Sequence, residues 1–323
     1  MIKQAFYILW LLFMTVRLQS QQMPLYSQYM LNGFTFNSAM AGHNGLTTVN
    51  AVSRQQWLGL DNAPRSFSFS AQTRILMRSY MIKSDVIRGN KFIRARKGRV
   101  GLGINLYNDR NGYFDQSGLN LSYAYHLSFN NSQLSFGLAA SVTQFKINSS
   151  GISFRNDDIK FSQVGDPIYV PDANAGVFFE RLEWYAGVSV SNMMQSKVKF
   201  GNPNLQSYEL KRHYYGILGY RYTEIHRYVY EPTILIKTTE ALTPQIDVSL
   251  KVEYNENYWF GFSYRTLNSA VVFMGIVKNN FSAGYAFDYD FNAFQRFTYG
   301  SHELNLALKF GDSAKRYRWI KRF

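Results

Sequence analysis

From Gln245 to Tyr254 the chain alternates without a break. Ile246, Val248, Leu250, Val252 and Tyr254 fall on one side, and Gln245, Asp247, Ser249, Lys251 and Glu253 on the other. A side-chain period of two belongs to an extended strand, because successive Cβ atoms point to opposite faces. One face of this strand is apolar and the other carries three ionisable groups. A soluble sheet would turn those charges to water and its apolar face to a core. A transmembrane barrel does the reverse, with the apolar face on lipid and the polar face in the lumen. Whether the pattern recurs around the whole chain separates the two.

It recurs. Leu304, Leu306, Leu308 and Phe310 alternate with Asn305, Ala307 and Lys309, and Leu134, Phe136, Leu138, Ala140 and Val142 alternate with Ser135, Gly137, Ala139, Ser141 and Thr143. The same holds over 100–107, 119–127 and 184–191. The minority face is small and polar, poor filling for a sandwich and suited to a wet or loosely filled lumen. Strands are expected near 46–56, 65–74, 99–108, 116–128, 133–146, 173–180, 182–192, 207–221, 228–238, 244–254, 257–266, 268–277, 280–288 and 301–310. The fold expected is all-β, a transmembrane antiparallel β-barrel of about 14 strands, an even number as single-chain outer-membrane barrels have.

Composition agrees. Of 323 residues 17% are aromatic, with 24 Tyr and 26 Phe, and barrels carry aromatic girdles at both interfaces. A mean hydropathy of −0.24 excludes a helical membrane protein, but not a barrel, whose luminal residues offset the lipid-facing ones. There is no cysteine, so neither disulfides nor thiol chemistry enter. Lys3, the uncharged run Ala5–Val16 and Leu18-Gln19-Ser20 read as a secretory signal over 1–20; an N-terminal anchor is the competing reading. That run falls short of the roughly 20 residues a helical span needs.

The formal net charge of +14 drops to +12 without Lys3 and Arg17, and two stretches hold all of that remainder. Arg74–Arg99 has nine Lys or Arg against Asp85, and 311–323 has Lys315, Arg316, Arg318, Lys321 and Arg322 against Asp312. The body is neutral. If both chain ends are periplasmic, the loops after odd-numbered strands face outward. The 75–98 stretch then becomes a basic periplasmic excursion and 311–323 a basic periplasmic tail. Tyr317, Trp319 and Phe323 interleave that tail. After a closing strand such a tail is expected to meet anionic lipid or an acidic partner, with no nucleic acid bound. Tight turns are expected at Asn130-Asn131, Arg181, Asn255-Glu256 and Asn280, and longer connections at Ile147–Asp172, Met193–Gln206 and Tyr289–Gly300. The 21–45 segment does not alternate, and reads either as a leader into the first strand or as a lumen plug.

Chemistry is sparse. The histidines His43, His126, His213, His226 and His302 have no metal-ligand spacing, so no metal, cofactor or catalytic set is expected. His126 falls on a luminal face and reads as a hydrogen-bonded polar residue. Asn108, Asp109, Asn111 and Asp115 miss the calcium-loop spacing and read as a tight turn with Gly112 at positive φ. Asp157-Asp158, Asp288 and Asp290 read as solvated loop carboxylates. Asp247, Lys251 and Glu253 point the same way, as a structural ion network in the lumen.

Several blocks between the strands carry a resemblance. Pro24–Asn32 with Asn37–Gly42, Arg54–Leu60 with Ala63-Pro64, Tyr107–Gly112 with Leu121–His126, Ile236–Thr239, Gly261–Arg265, Gly284–Tyr289 and Gly300–Glu303 resemble, in order, the PorP/SprF family. These are outer-membrane proteins of the type IX secretion system of Bacteroidetes, which are Gram-negative. The chain departs from that pattern at Asn37-Ser38, where the family usually has Asn-Pro, and in the length and basicity of 74–99. The resemblance implies a non-enzymatic role. The protein would help secrete cargo, such as gliding adhesins, and anchor it at the cell surface through the cargo's C-terminal sorting domain. Its partners would be that cargo, other components of the system and outer-membrane lipid. The partner-binding residues expected are Tyr26, Gln28, Tyr29, Asn32, Gln56 and Trp57, which carry the family pattern without serving the alternation. The alternative function is a channel for small or hydrophobic solutes.

Overall fold

The computed structural model describes residues 26–75, 99–129, 132–147, 167–198, 208–223, 228–240, 244–266, 269–291 and 293–310. The expected signal, the basic 75–98 excursion beyond Ile75, the tail, Asp157-Asp158 and the Asn130-Asn131 turn lie outside these residues.

Fourteen antiparallel strands close into a barrel. In chain order they are β1 (Thr47–Gln55), β2 (Arg65–Ile75), β3 (Val100–Asn111), β4 (Phe114–Ser128), β5 (Ser132–Ile147), β6 (Ile168–Arg181), β7 (Trp184–Ser191) and β8 (His213–Tyr220). They continue as β9 (Tyr228–Thr239), β10 (Gln245–Tyr254), β11 (Tyr258–Arg265), β12 (Ser269–Lys278), β13 (Phe281–Asp290) and β14 (Ser301–Phe310). Each pairs with its chain neighbours, and β1 pairs with β14 from Thr47↔Phe310 to Gln55↔His302 to close the ring. Closure leaves no unpaired edge, the condition for a sheet in hydrocarbon.

The alternation maps onto this wall as lipid face and lumen face. Leu106, Leu121, Leu138, Val188, Val272 and Leu306 are exposed on the outside. Asp247, Ser249 and Lys251 of β10 are buried on the inside. Exposed aromatics collect at both ends of the strands: Phe114, Tyr169, Tyr214, Tyr264 and Tyr289 at one rim, Phe129, Trp184, Tyr220, Tyr258 and Phe281 at the other. The first rim carries the connections 56–64, 148–167, 192–212 and 291–300, and the second the short turns 182–183, 255–257 and 279–280, with the 76–99 connection as the exception. Short turns face the periplasm and long loops the exterior in such barrels, so the first is the outer rim and the second the inner rim.

Every expected strand is present, but some bounds move. β6 starts at Ile168, five residues before the expected 173, because Pro171 and Asp172 still pair with Val142 and Ser141. β8 starts at His213, not 207, because Tyr208-Glu209 pair instead with Lys197-Val198 in a separate two-stranded ribbon. Arg181 is still in the ladder, opposite Ser132, so the turn falls at Leu182-Glu183. Asn108 and Asp109 are strand residues opposite Ser117 and Gln116. Only Gly112 (φ 61°) and Tyr113 make the turn. The lumen also holds a folded segment of the chain. Its small residues make room for residues 26–45, which fold inside the ring.

Candidate functional site

The 26–45 segment is three single 3₁₀ turns, Tyr29–Leu31, Gly33–Thr35 and Ser38–Met40. Isolated turns this short are not stable alone; the wall holds them. The segment begins at Tyr26 in the outer half of the lumen, crosses it, and reaches the inner rim at Gly45, where β1 starts. Tyr29, Phe34, Phe36, Ala39 and Met40 form one buried cluster with Phe178, Tyr185, Tyr215, Ile217 and Leu235 of the wall.

Polar contacts fix its register against the staves. Glu303 of β14 accepts the backbone N–H groups of Ser27 (2.6 Å) and Gln28 (3.0 Å). Ser27 Oγ donates to Asp288 Oδ2 of β13 at 2.7 Å. Arg54 of β1 closes the cluster: its guanidinium lies 2.6 Å from Asp288 and 3.4 Å from Glu303, and donates to Ser27 Oγ. Arg265 adds ion pairs to Asp247 at 3.1 Å and Asp288 at 3.6 Å. Further along, the Tyr29 hydroxyl meets Ser249 at 2.9 Å, Asn32 Nδ2 donates to Ser70 at 2.9 Å, and Ser189 Oγ donates to the Phe36 carbonyl at 2.7 Å. The Gly42 N–H donates to Gln72 at 3.0 Å, and Gln133 Nε2 donates to the His43 carbonyl at 3.2 Å. Burial lowers the pKa of the His43 imidazole, which leans against Phe178.

Two staves are notched to admit the backbone. A Cβ on Gly137 would sit within 2.5 Å of the Ala39 Cα, and one on Gly101 would meet the Ala41 carbonyl carbon at 2.9 Å. His126 Nε2 lies 2.9 Å from that same Ala41 oxygen, and its Nδ1 lies 2.8 Å from Ser135 Oγ. His126 is thus fully partnered and serves to hold the segment.

Asn37 is extended (φ −132°, ψ 106°), and its side chain accepts the Ala39 N–H at 3.0 Å as a cap on the third turn. Ser38 is the first residue of that turn, where proline fits and no N–H is needed; an extended residue before it is what proline also requires. Ser38→Pro, which gives the Asn-Pro of the family the sequence resembles, is therefore expected to raise stability by about 0.4–1 kcal/mol. Chemical denaturation of the purified barrel measures it, and a loss above about 1 kcal/mol would reject the reading.

The expected site residues separate in space. Tyr26, Gln28, Tyr29 and Asn32 are buried in the lumen and face the wall. Gln56 and Trp57 stand on the outer rim. There Trp57 adopts φ 47°, its N–H reaches Ser301 Oγ (3.2 Å) and its Nε1 donates to Asp290 at 2.7 Å. Leu58 N–H donates to the Gly300 carbonyl (2.9 Å) and Tyr299 N–H to the Leu58 carbonyl (2.8 Å). The 56–64 and 291–300 loops are thus zipped into one unit, displaying Phe297 at 73% and Tyr299 at 76% exposure. Asp288 and Asp290 are not solvated loop carboxylates. β13 carries both, and Asp288 is buried against Arg54 because strand alternation aims it inward. Lys251 does join a luminal network, with Glu231 and Glu253 each at 2.8 Å, while Asp247 belongs with Arg265. In the sequence Arg54 and Glu303 stand only as members of the blocks that carry the resemblance, with no role assigned, and Glu231 is not singled out. A signal that points to all three is a charge on the minority face of an alternating strand.

Residues 18–308 match a family described as Type IX secretion system membrane protein PorP/SprF. The chain belongs to the PorP/SprF family. With an apolar belt closed around a polar lumen, this family membership places it in the outer membrane. No functionally curated protein matches it. Among solved structures it is similar to outer membrane protein Omp33 of Acinetobacter baumannii, with 7% identity, a TM-score of 0.45, and 83% of this chain and 98% of that one covered. It is also similar to the toluene transporter TodX of Pseudomonas putida, with 8% identity, a TM-score of 0.44, and 90% and 94% covered.

Proposed function

We propose that this PorP/SprF protein is a cargo-attachment component of type IX secretion. It would hold secreted cargo, gliding adhesins among them, at the surface through the cargo's C-terminal sorting domain. No cofactor, metal or catalysis is involved. The observation that carries this is the pairing of a filled lumen with a built outer surface. The 26–45 segment is hydrogen-bonded to staves around the ring, which disfavours the competing solute channel. The zipped outer loops with Trp57, Phe297 and Tyr299 offer aromatic area of the kind that anchors protein interfaces. Gln56 and Trp57 are the contact residues of this reading; Tyr26, Gln28, Tyr29 and Asn32 support it from below. The basic residues of 311–323 engage the rest of the machine on the periplasmic side.

Capture of a purified cargo sorting domain by the detergent-solubilised barrel tests the proposal. Phe297→Asp with Tyr299→Asp is expected to weaken capture at least tenfold, about 1.4 kcal/mol, while the heat-modifiable migration of the folded barrel stays unchanged. Capture at the parental level would remove the outer loops from the mechanism. Steady conductance of the parental protein in planar bilayers would favour the channel.

A further inference from the structure

Above the plug, towards the outer rim, the lumen holds a cavity of about 60 Å³. Tyr29 and Phe36 of the plug line its floor, and β3, β4 and β5 line one wall. On that wall Asn105, Asn120 and Ser141 stand directly opposite one another in the ladder. Asn105 Oδ1 accepts from Ser68 Oγ at 2.8 Å. Asn105 Nδ2, both ends of the Asn120 carboxamide and Ser141 Oγ have no hydrogen-bond partner among the described residues. None of these atoms is sealed off by protein, and all three residues line the cavity.

Tyr107, two residues outward of Asn105, adds a platform. A Cβ on Gly118, its opposite number on β4, would overlap the Tyr107 ring, so the ring lies over bare glycine backbone. Its hydroxyl is pinned to Thr143 Oγ1 of β5 at 3.1 Å. With its back on the wall, the ring turns its other face to the cavity.

The chemistry of an occupant follows from this lining. Among the described residues no Asp, Glu, Lys, Arg or His borders the cavity, so an ion, a phosphate or a carboxylate finds no charge there. What it offers is amide N–H donors, amide and hydroxyl acceptors, and the negative face of an aromatic ring, which attracts the weakly positive hydrogens of C–H groups. A neutral sugar matches that pattern, with hydroxyls around its edge and a C–H face. A peptide strand would ask for backbone partners, and those of β3, β4 and β5 are spent on the ladder. At roughly 15 Å³ for each water-sized group, the cavity takes about four such groups, the edge of one pyranose ring.

We infer that this cavity holds the end of a neutral sugar chain presented from the cell exterior. The C–H face of the sugar lies on Tyr107, and its hydroxyls pair with Asn105, Asn120 and Ser141. The inference is independent of cargo capture on the outer loops.

The chain has no cysteine, so Ser191→Cys, on β7 and lining the same cavity, supplies a single reporter thiol in the full-length barrel in nanodiscs. Labelling by a small methanethiosulfonate reagent is followed with neutral trisaccharides of glucose, mannose and galactose in turn, at tens of millimolar. At least one is expected to slow labelling at least fivefold, and glycerol at equal mass to leave it unchanged. Adding Asn120→Leu, or separately Tyr107→Leu, is expected to abolish the protection while the heat-modifiable migration of the folded barrel persists. Labelling unslowed by all three sugars, slowing matched by glycerol, or protection kept in both variants overturns the site. Protection by acetyl-trialanine amide but by no sugar overturns the class of ligand. A thiol that the reagent never reaches overturns entry from the exterior.

Discussion

Arg54→Ala is expected to unseat the outer end of the plug. The guanidinium stands between Asp288 and Glu303, both almost fully buried, and all three converge on Ser27. Removing one partner of a buried ion pair leaves uncompensated charge and costs about 3–5 kcal/mol. Here it leaves Glu303 facing Asp288, which keeps only the Arg265 ion pair at 3.6 Å. The barrel ladder itself is untouched, so the loss should appear first as local opening. Hydrogen exchange at the amides of Ser27 and Gln28, which Glu303 accepts, should quicken by about two to three orders of magnitude. The triple variant Arg54→Met, Asp288→Asn, Glu303→Gln removes the charges together and should recover part of the protection. Unchanged exchange in Arg54→Ala would show that the cluster does not hold the plug.

Gly137→Val is expected to expel the third turn from its notch. A side chain there meets the Ser38–Ala39 backbone, which has no flexible end to move aside. Overpacking costs about 1–3 kcal/mol where neighbours can adjust, and more where they cannot. The readout is electrical: the parental barrel should stay closed in a planar bilayer, and the variant should show discrete openings as the segment leaves the lumen. Gly216→Ala is the internal control. It lies on β8 with nothing within 4 Å of the added carbon, so it should be neutral or gain a few tenths of a kcal/mol. A closed Gly137→Val barrel, as stable as the parent, would mean the notch is not needed.

The staves were legible in the sequence because alternation is a local property, carried by residues two apart, and β10 shows it over its whole length. Their ends were less so. Pairing decides them, and Pro171 or Tyr208 does not announce its partner. The plug was visible only as a gap in alternation over 21–45. Nothing local states that Ser27 lies beside Glu303. Asp288 was misjudged because its run of Phe287, Asp288, Tyr289 and Asp290 looks like a strand fraying into a loop. It becomes an inward-facing position only once Asp288 is seen opposite Ser301. The family blocks point to the same places. Arg54, Gly284–Tyr289 and Gly300–Glu303 are where plug, seam and outer loops meet.

The contact between Ser27 and Glu303 spans 276 positions of chain, and Arg54 and Glu303 face each other across the strand pair that shuts the ring. Ser27 and Gln28 therefore find their acceptor only when the last stave has been made. Loop-closure entropy over such a span must be met before these contacts return anything. Seating the plug and sewing the seam thus meet in one cluster, where Arg54 pairs with Glu303 across the seam and both hold Ser27. The arginine is in effect an assembly gauge, satisfied only when the barrel has closed on its own beginning.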